Sequence, residues 1–70
     1  MFRYVITLKV TTTIEGLEFI SYPIVTRTTQ TRDRAIVERA AVNRFIRENW
    51  GTLSDCTVAR ISVEKVKEVA

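Results

Sequence analysis

Side chains capable of acid, base or nucleophilic chemistry are few in this chain. The sequence has no histidine and one cysteine, Cys56. Histidine is the usual general base near neutral pH, and a cysteine thiol needs a neighbouring base to act as a strong nucleophile. A lone cysteine also cannot build a structural zinc site. We therefore expect no catalytic residue, no metal site and no cofactor, and we interpret Cys56 as a small structural residue.

The carboxylates show no spacing that is typical of a calcium loop. Two of them follow an arginine by four residues, in the pairs Arg34–Glu38 and Arg44–Glu48, which suits ion pairing along a helix. With two glycines in the chain, a glycine-rich phosphate loop is excluded. The sequence thus predicts a protein that is not an enzyme. The remaining enzymatic alternative is a site assembled between subunits from arginine, glutamate and tyrosine.

Length and composition predict one small folded domain, residues 1–70, with 46% apolar and 27% charged residues. The net charge of +3 permits contact with nucleic acid or acidic proteins but does not require it. A single cysteine suits a reducing compartment, so we expect a cytoplasmic location. No apolar run has the length of a signal peptide or a membrane span, and we expect no membrane partner.

The first structural element is a strand over residues 2–14, because apolar residues occupy its even positions and mostly polar residues its odd positions. The segment GLEFISYPIV (16–25) follows as a second strand, but it carries apolar side chains on both faces. Pro23 cannot donate a ladder hydrogen bond, which places this strand at a sheet edge.

Two turns could join these strands. A two-residue loop of Glu15 and Gly16 would place Ile20, Tyr22 and Ile24 opposite the polar positions of the first strand. A type I turn with a bulge at Gly16 would instead pair them with its apolar positions. We predict the bulged register, because it covers the large side chains and asks only glycine to adopt a positive φ.

The remaining elements are a helix from about Arg32 to about Trp50, capped by Thr31 and ended by Gly51, and a third strand in CTVARISVEKV (56–66). The predicted fold is α+β with the order β-β-α-β. It has a three-stranded antiparallel sheet in the order 2-1-3 and one helix packed on one face, which makes it half-ferredoxin-like.

Apolar residues lie on two sides of the predicted helix, with Ile36, Val37, Ala40 and Ala41 in one sector and a second group opposite. Either the helix buries a broad arc against the sheet, or the second group forms an interface. The bulged register also sends three apolar residues of the strands outward. The candidate interface residues are Val42, Phe45, Ile46, Trp50, Val5, Phe19 and Val25.

From this apolar surplus we predict a small non-catalytic protein-interaction or accessory module, a homodimer that also binds another protein. The alternative is a basic nucleic-acid-binding module that contacts phosphates through the outer sheet face, using Arg3, Lys9, Arg27 and Arg60. Few aromatic side chains are available there for base stacking, which disfavours recognition of single-stranded bases. A basic face that is simply solvated is the third interpretation.

Overall fold

The computed structural model describes residues 1–69 and contains a sheet built around one long central strand. That strand, β1 (Phe2–Ile14), alternates as its sequence predicts, and its even-numbered side chains enter the core. Ile6 and Leu8 are fully buried. Apolar residues at every second position therefore give β1 one core face and one outer face.

The predicted second strand, residues 16–25, extends further than expected, to Thr29. A short break at Tyr22 and Pro23 divides it into β2 (Leu17–Ser21) and β3 (Ile24–Thr29). Both segments pair antiparallel with β1 in one continuous register, from Ile14 opposite Leu17 to Phe2 opposite Thr29. They therefore form one interrupted strand along a single edge of β1. Pro23 lies on an edge strand, as predicted.

On the other edge of β1, the strand β4 (Val58–Val69) pairs antiparallel over most of its length. Thr7 and Thr11 of β1 each have partners in both neighbours, which places β1 in the centre. The α+β class and the predicted order of strands are thus confirmed, with β4 as the predicted third strand. Glu64 forms a bulge, because Leu8 pairs with Val63 and Thr7 with Lys65.

Two helices connect β3 to β4: α1 (Arg34–Glu48) and the short α2 (Trp50–Ser54). The side chain of Asp33, rather than Thr31, caps α1 by accepting a hydrogen bond from the Ala35 amide at 3.1 Å. The predicted stop at Gly51 is also wrong. The helix ends earlier because Asn49 donates from its backbone and its side chain to the Phe45 carbonyl, at 3.0 and 2.9 Å.

The core lies between the even face of β1 and helix α1. Val37 and Ala41, one turn apart, are fully buried against this face, with Val42 and Phe45 packed beside them. The helix therefore buries a broad arc of its surface against the sheet, as in the first of the two arrangements expected from its apolar residues. No helix among residues 1–69 is long and apolar enough to cross a membrane.

The predicted bulge at Gly16 is wrong. Glu15 and Gly16 form a two-residue turn with φ values of 51° and 80°, the pattern of a type I′ hairpin. This turn matches the natural twist of the paired strands. It requires the backbone of Glu15 to adopt the left-handed conformation, which is unfavourable for a residue other than glycine. As a result Thr11 faces Ile20 and Thr7 faces Ile24, in the register that the prediction rejected.

Candidate interaction surfaces

The changed register places three large side chains on the uncovered face of the sheet, opposite the helices. Ile20, Tyr22 and Ile24 are 51%, 54% and 65% exposed. They occupy alternate positions of one edge, so their side chains point the same way. We call these three residues the edge row. It is a continuous apolar strip on the outer face of β2 and β3.

A second apolar surface lies at the hairpin end of the sheet, on the helix side. Leu17 pairs with Ile14, and Phe19 pairs with Thr12, which follows the buried Val10 on the even face of β1. We call Ile14, Leu17 and Phe19 the hairpin-end patch. All three are exposed by at least 40%. Val10 is the last buried residue of β1, so the helices do not cover the even face beyond it.

The predicted interface residues of the helix differ in how far they are buried. Val42 and Phe45 pack against the core, whereas Ile46 is half-buried. Trp50, at the start of α2, is 64% exposed. Of these four, Trp50 has the most accessible apolar surface.

The observed register places the predicted interface residues of the strands on two different faces of the sheet. Val5 lies on the outer face as predicted and is half-buried. Val25 and Phe19 were expected outside but lie on the helix side, where Val25 opposes Ile6 and packs against the core. Slipping a strand by one residue exchanges its two faces, which accounts for this correction.

Of the predicted phosphate contacts, three lie on the outer face. Arg3 and Lys9 belong to the odd side of β1, and Arg60 opposes Thr11. Arg27 was expected beside them but opposes Tyr4 on the helix side, for the same reason as Val25.

Two further basic residues lie on the outer face and are not among the predicted phosphate contacts: Lys65 opposes Thr7, and Lys67 opposes Val5. The bulge at Glu64 changes the alternation of β4, so these lysines join the side occupied by Arg60 and Ser62. The valines of VEKVKEV (63–69) are three residues apart and so break the two-residue alternation of a strand, which is a sequence feature that could have revealed these lysines. The outer face therefore has an apolar edge at β2 and β3 and a basic edge at β4.

A cationic cleft lies along β3, and we call it the arginine cleft. Its lining residues are Arg3, Thr26, Arg27, Thr28 and Arg44. Arg44 donates to the Thr26 carbonyl at 3.0 Å and to the Glu48 carboxylate at 2.9 Å. The Nε of Arg27 is buried and has no hydrogen-bond partner among the described residues. The cleft thus concentrates positive charge beside an open sheet edge.

Arg32 and Cys56 are occupied by local contacts. The Arg32 guanidinium lies 4.1 Å from the centre of the Phe2 ring and donates to Glu68 at 3.3 Å. The half-buried Cys56 directs its Sγ to the Thr52 carbonyl at 3.4 Å. Within residues 1–69, no three histidine, cysteine or acidic side chains form a metal-binding group.

Comparisons with known proteins found no match to this chain among family models, curated proteins or solved structures.

Proposed function

We propose that this protein is a small non-catalytic interaction module that forms a homodimer and, as a dimer, binds a protein partner. The observation that supports this proposal is the apolar surface outside the core, formed by the edge row, the hairpin-end patch and Trp50. Exposed apolar patches mark protein interaction sites in soluble domains, and here the edge row and the hairpin-end patch lie on opposite faces of the sheet. The single cysteine supports placing the module in the cytoplasm.

The size of the core gives the physical reason for association. Residues 1–69 contain only six buried apolar residues, and all of them come from β1 and α1. A domain of this length obtains little stability from its own core. Burying the edge row and the hairpin-end patch in an interface would contribute roughly 25 cal/mol for every Å² of apolar surface removed from water. Association would therefore stabilise the folded chain as well as provide its function.

The experiment that tests this proposal is an absolute mass measurement by light scattering after size exclusion, at low and high salt. We expect a mass near twice the 8.1 kDa of one chain at both salt concentrations, because burial of apolar surface is not screened by ions. A single-chain mass across the accessible concentration range would contradict self-association.

Trp50→Ala tests whether the start of α2 belongs to the interface. The side chain is largely exposed, so its removal should leave the fold intact and raise the dissociation constant of the dimer. Phe45→Ala is unsuitable for this test, because Phe45 packs against the core. An unchanged dissociation constant would remove Trp50 from the interface.

The alternative function is contact with nucleic-acid phosphates through the outer face. It is supported by Arg3, Lys9, Arg60, Lys65 and Lys67, which lie on one side of two adjacent strands. Phosphate contacts of this kind predict an affinity that falls steeply with salt. Fluorescence anisotropy with labelled DNA and RNA should show this fall, and the Lys65→Gln/Lys67→Gln variant should bind more weakly. No binding at low ionic strength would exclude this alternative.

A further inference from the structure

The free edge formed by β2 and β3 has backbone groups that are available for pairing. The Leu8 amide donates to the Pro23 carbonyl at 2.9 Å, so these two residues form a hydrogen-bonded pair. Because such pairs alternate along an antiparallel ladder, Ile20, Tyr22 and Ile24 direct their own N–H and C=O groups away from β1. Pro23, whose N–H is missing, faces β1 and therefore does not interrupt this outward edge.

Arg44 limits how far this edge is open. Its guanidinium donates to the Thr26 carbonyl. The backbone carbonyl of this even-numbered residue of β3 therefore points away from β1, as expected from the alternation. The same contact occupies the edge at Thr26. The open segment therefore runs from Glu18 to Ile24, and its alternate side chains on the outer face are Glu18 and the edge row.

We infer that this edge pairs antiparallel with the same edge of a second copy of the chain, with Tyr22 opposite Tyr22 across a two-fold axis. This inference rests on the proposed homodimer and specifies its interface. Ile20 of each copy then lies opposite Ile24 of the other. The two sheets become one continuous sheet, and the edge rows form a single apolar cluster on its outer face.

The sequence pattern of the edge row indicates that the strand pairing with this edge belongs to a second copy of the chain. An interface with two-fold symmetry must be complementary to itself, so its sequence pattern has to read alike in both directions. Along the outer face the edge row reads isoleucine, tyrosine, isoleucine, with Tyr22 at the centre. An antiparallel copy therefore presents the same three side chains in the matching order.

Other antiparallel registers lose this match. Centring the pair on Ile20 would place Tyr22 opposite Glu18 and Ile24 opposite Gly16 of the turn. Centring it on Ile24 would place Tyr22 opposite Thr26 and Ile20 opposite Thr28, so that only Ile24 would meet an apolar side chain. Only the register centred on Tyr22 keeps Ile20, Tyr22 and Ile24 all opposite one another.

Charge complementarity favours the same register. With Tyr22 at the centre, Glu18 of one copy lies opposite Thr26 of the other, beside its arginine cleft. The carboxylate then faces Arg44 of the second copy, which already extends to the Thr26 carbonyl. The two-fold axis repeats this contact at the other end of the interface. Ion pairs at a rim contribute more to register and partner choice than to affinity.

Tyr22→Lys tests the inference by light scattering across a dilution series. It puts two ammonium groups opposite each other at the centre and removes two aromatic rings, so we expect the dimer dissociation constant to rise by about tenfold or more. The matched control is Val58→Lys, which adds the same charge on the outer face but on β4, at the far edge. This control should leave the dissociation constant unchanged.

Cross-linking tests the register directly. In a Cys56→Ser background, Tyr22→Cys should yield a disulfide-linked dimer, since hydrogen-bonded pairs have Cα atoms about 5.5 Å apart, within disulfide range. Thr28→Cys in the same background should not cross-link, because Gly16 lies opposite it in the second copy.

The outcomes separate this inference from the proposed function. A wild-type dimer that is insensitive to Tyr22→Lys and gives no Tyr22→Cys cross-link would overturn the edge pairing while leaving the homodimer intact. A monomeric wild type would overturn both. A dimer that Tyr22→Lys dissociates, and that cross-links at Tyr22 but not at Thr28, is the result that we expect.

Discussion

Replacing Glu15 by asparagine should stabilise this protein. Glu15 occupies the first central position of the β1–β2 turn with φ of 51°, and Gly16 follows at 80°. The left-handed conformation costs an ordinary L-residue roughly 1–2 kcal/mol, and asparagine tolerates it best among residues other than glycine. Asn-Gly is also the preferred pair in type I′ hairpins. We therefore expect Glu15→Asn to raise the free energy of unfolding by about 1 kcal/mol.

Urea unfolding at a fixed protein concentration measures this gain, and for a domain of this size it corresponds to a rise of about 4–8 °C in Tm. The control is Glu15→Gln, which removes the same charge but has no preference for a positive φ. The turn is exposed, so neither variant changes a buried contact. If Glu15→Asn is no more stable than Glu15→Gln, residue 15 is not left-handed. The bulged register gives that result, so the experiment also distinguishes the two registers.

Two further predictions concern the stability of the fold. Leu8→Ala removes a fully buried side chain and should lower the free energy of unfolding by about 2–5 kcal/mol, whereas Ile36→Ala, on a half-exposed side chain of α1, should change it far less. Similar losses for both in chemical denaturation would mean that the core is not centred on β1. Asp33→Ala removes the cap of α1 and should cost about 0.5–2 kcal/mol, against a smaller effect of Asp55→Ala in the loop before β4. Equal effects of these two variants on Tm would show that Asp33 acts through its charge alone.

Much of the architecture could be predicted from local patterns. The alternation over residues 2–14 identified the central strand and its core face, and Pro23 identified an edge strand. The helix was also predicted, although each of its ends was misplaced by about two residues. These features follow from residues close together in the chain, so side-chain periodicity and turn residues are sufficient to reveal them.

The candidate surfaces were harder to predict. The edge row was assigned to the core, because the prediction assumed that one chain covers all its large side chains. The structure has helices on one side of the sheet only, so Ile20, Tyr22 and Ile24 remain exposed. Lys65 and Lys67 were missed because one extra residue in β4 shifts the alternation. In both cases a single backbone conformation decides the direction of several side chains.

The sequence by itself determined the α+β class, the approximate positions of three strands and one helix, which face of the central strand is apolar, and the order of the strands. Only the tertiary structure decided which face of β2, β3 and β4 each side chain occupies. The physical reason is the two-residue periodicity of a strand: a turn at Glu15 and Gly16, or a bulge at Glu64, inverts every position beyond it. That choice depends on backbone hydrogen bonds between distant residues, and it placed the edge row on an open sheet edge.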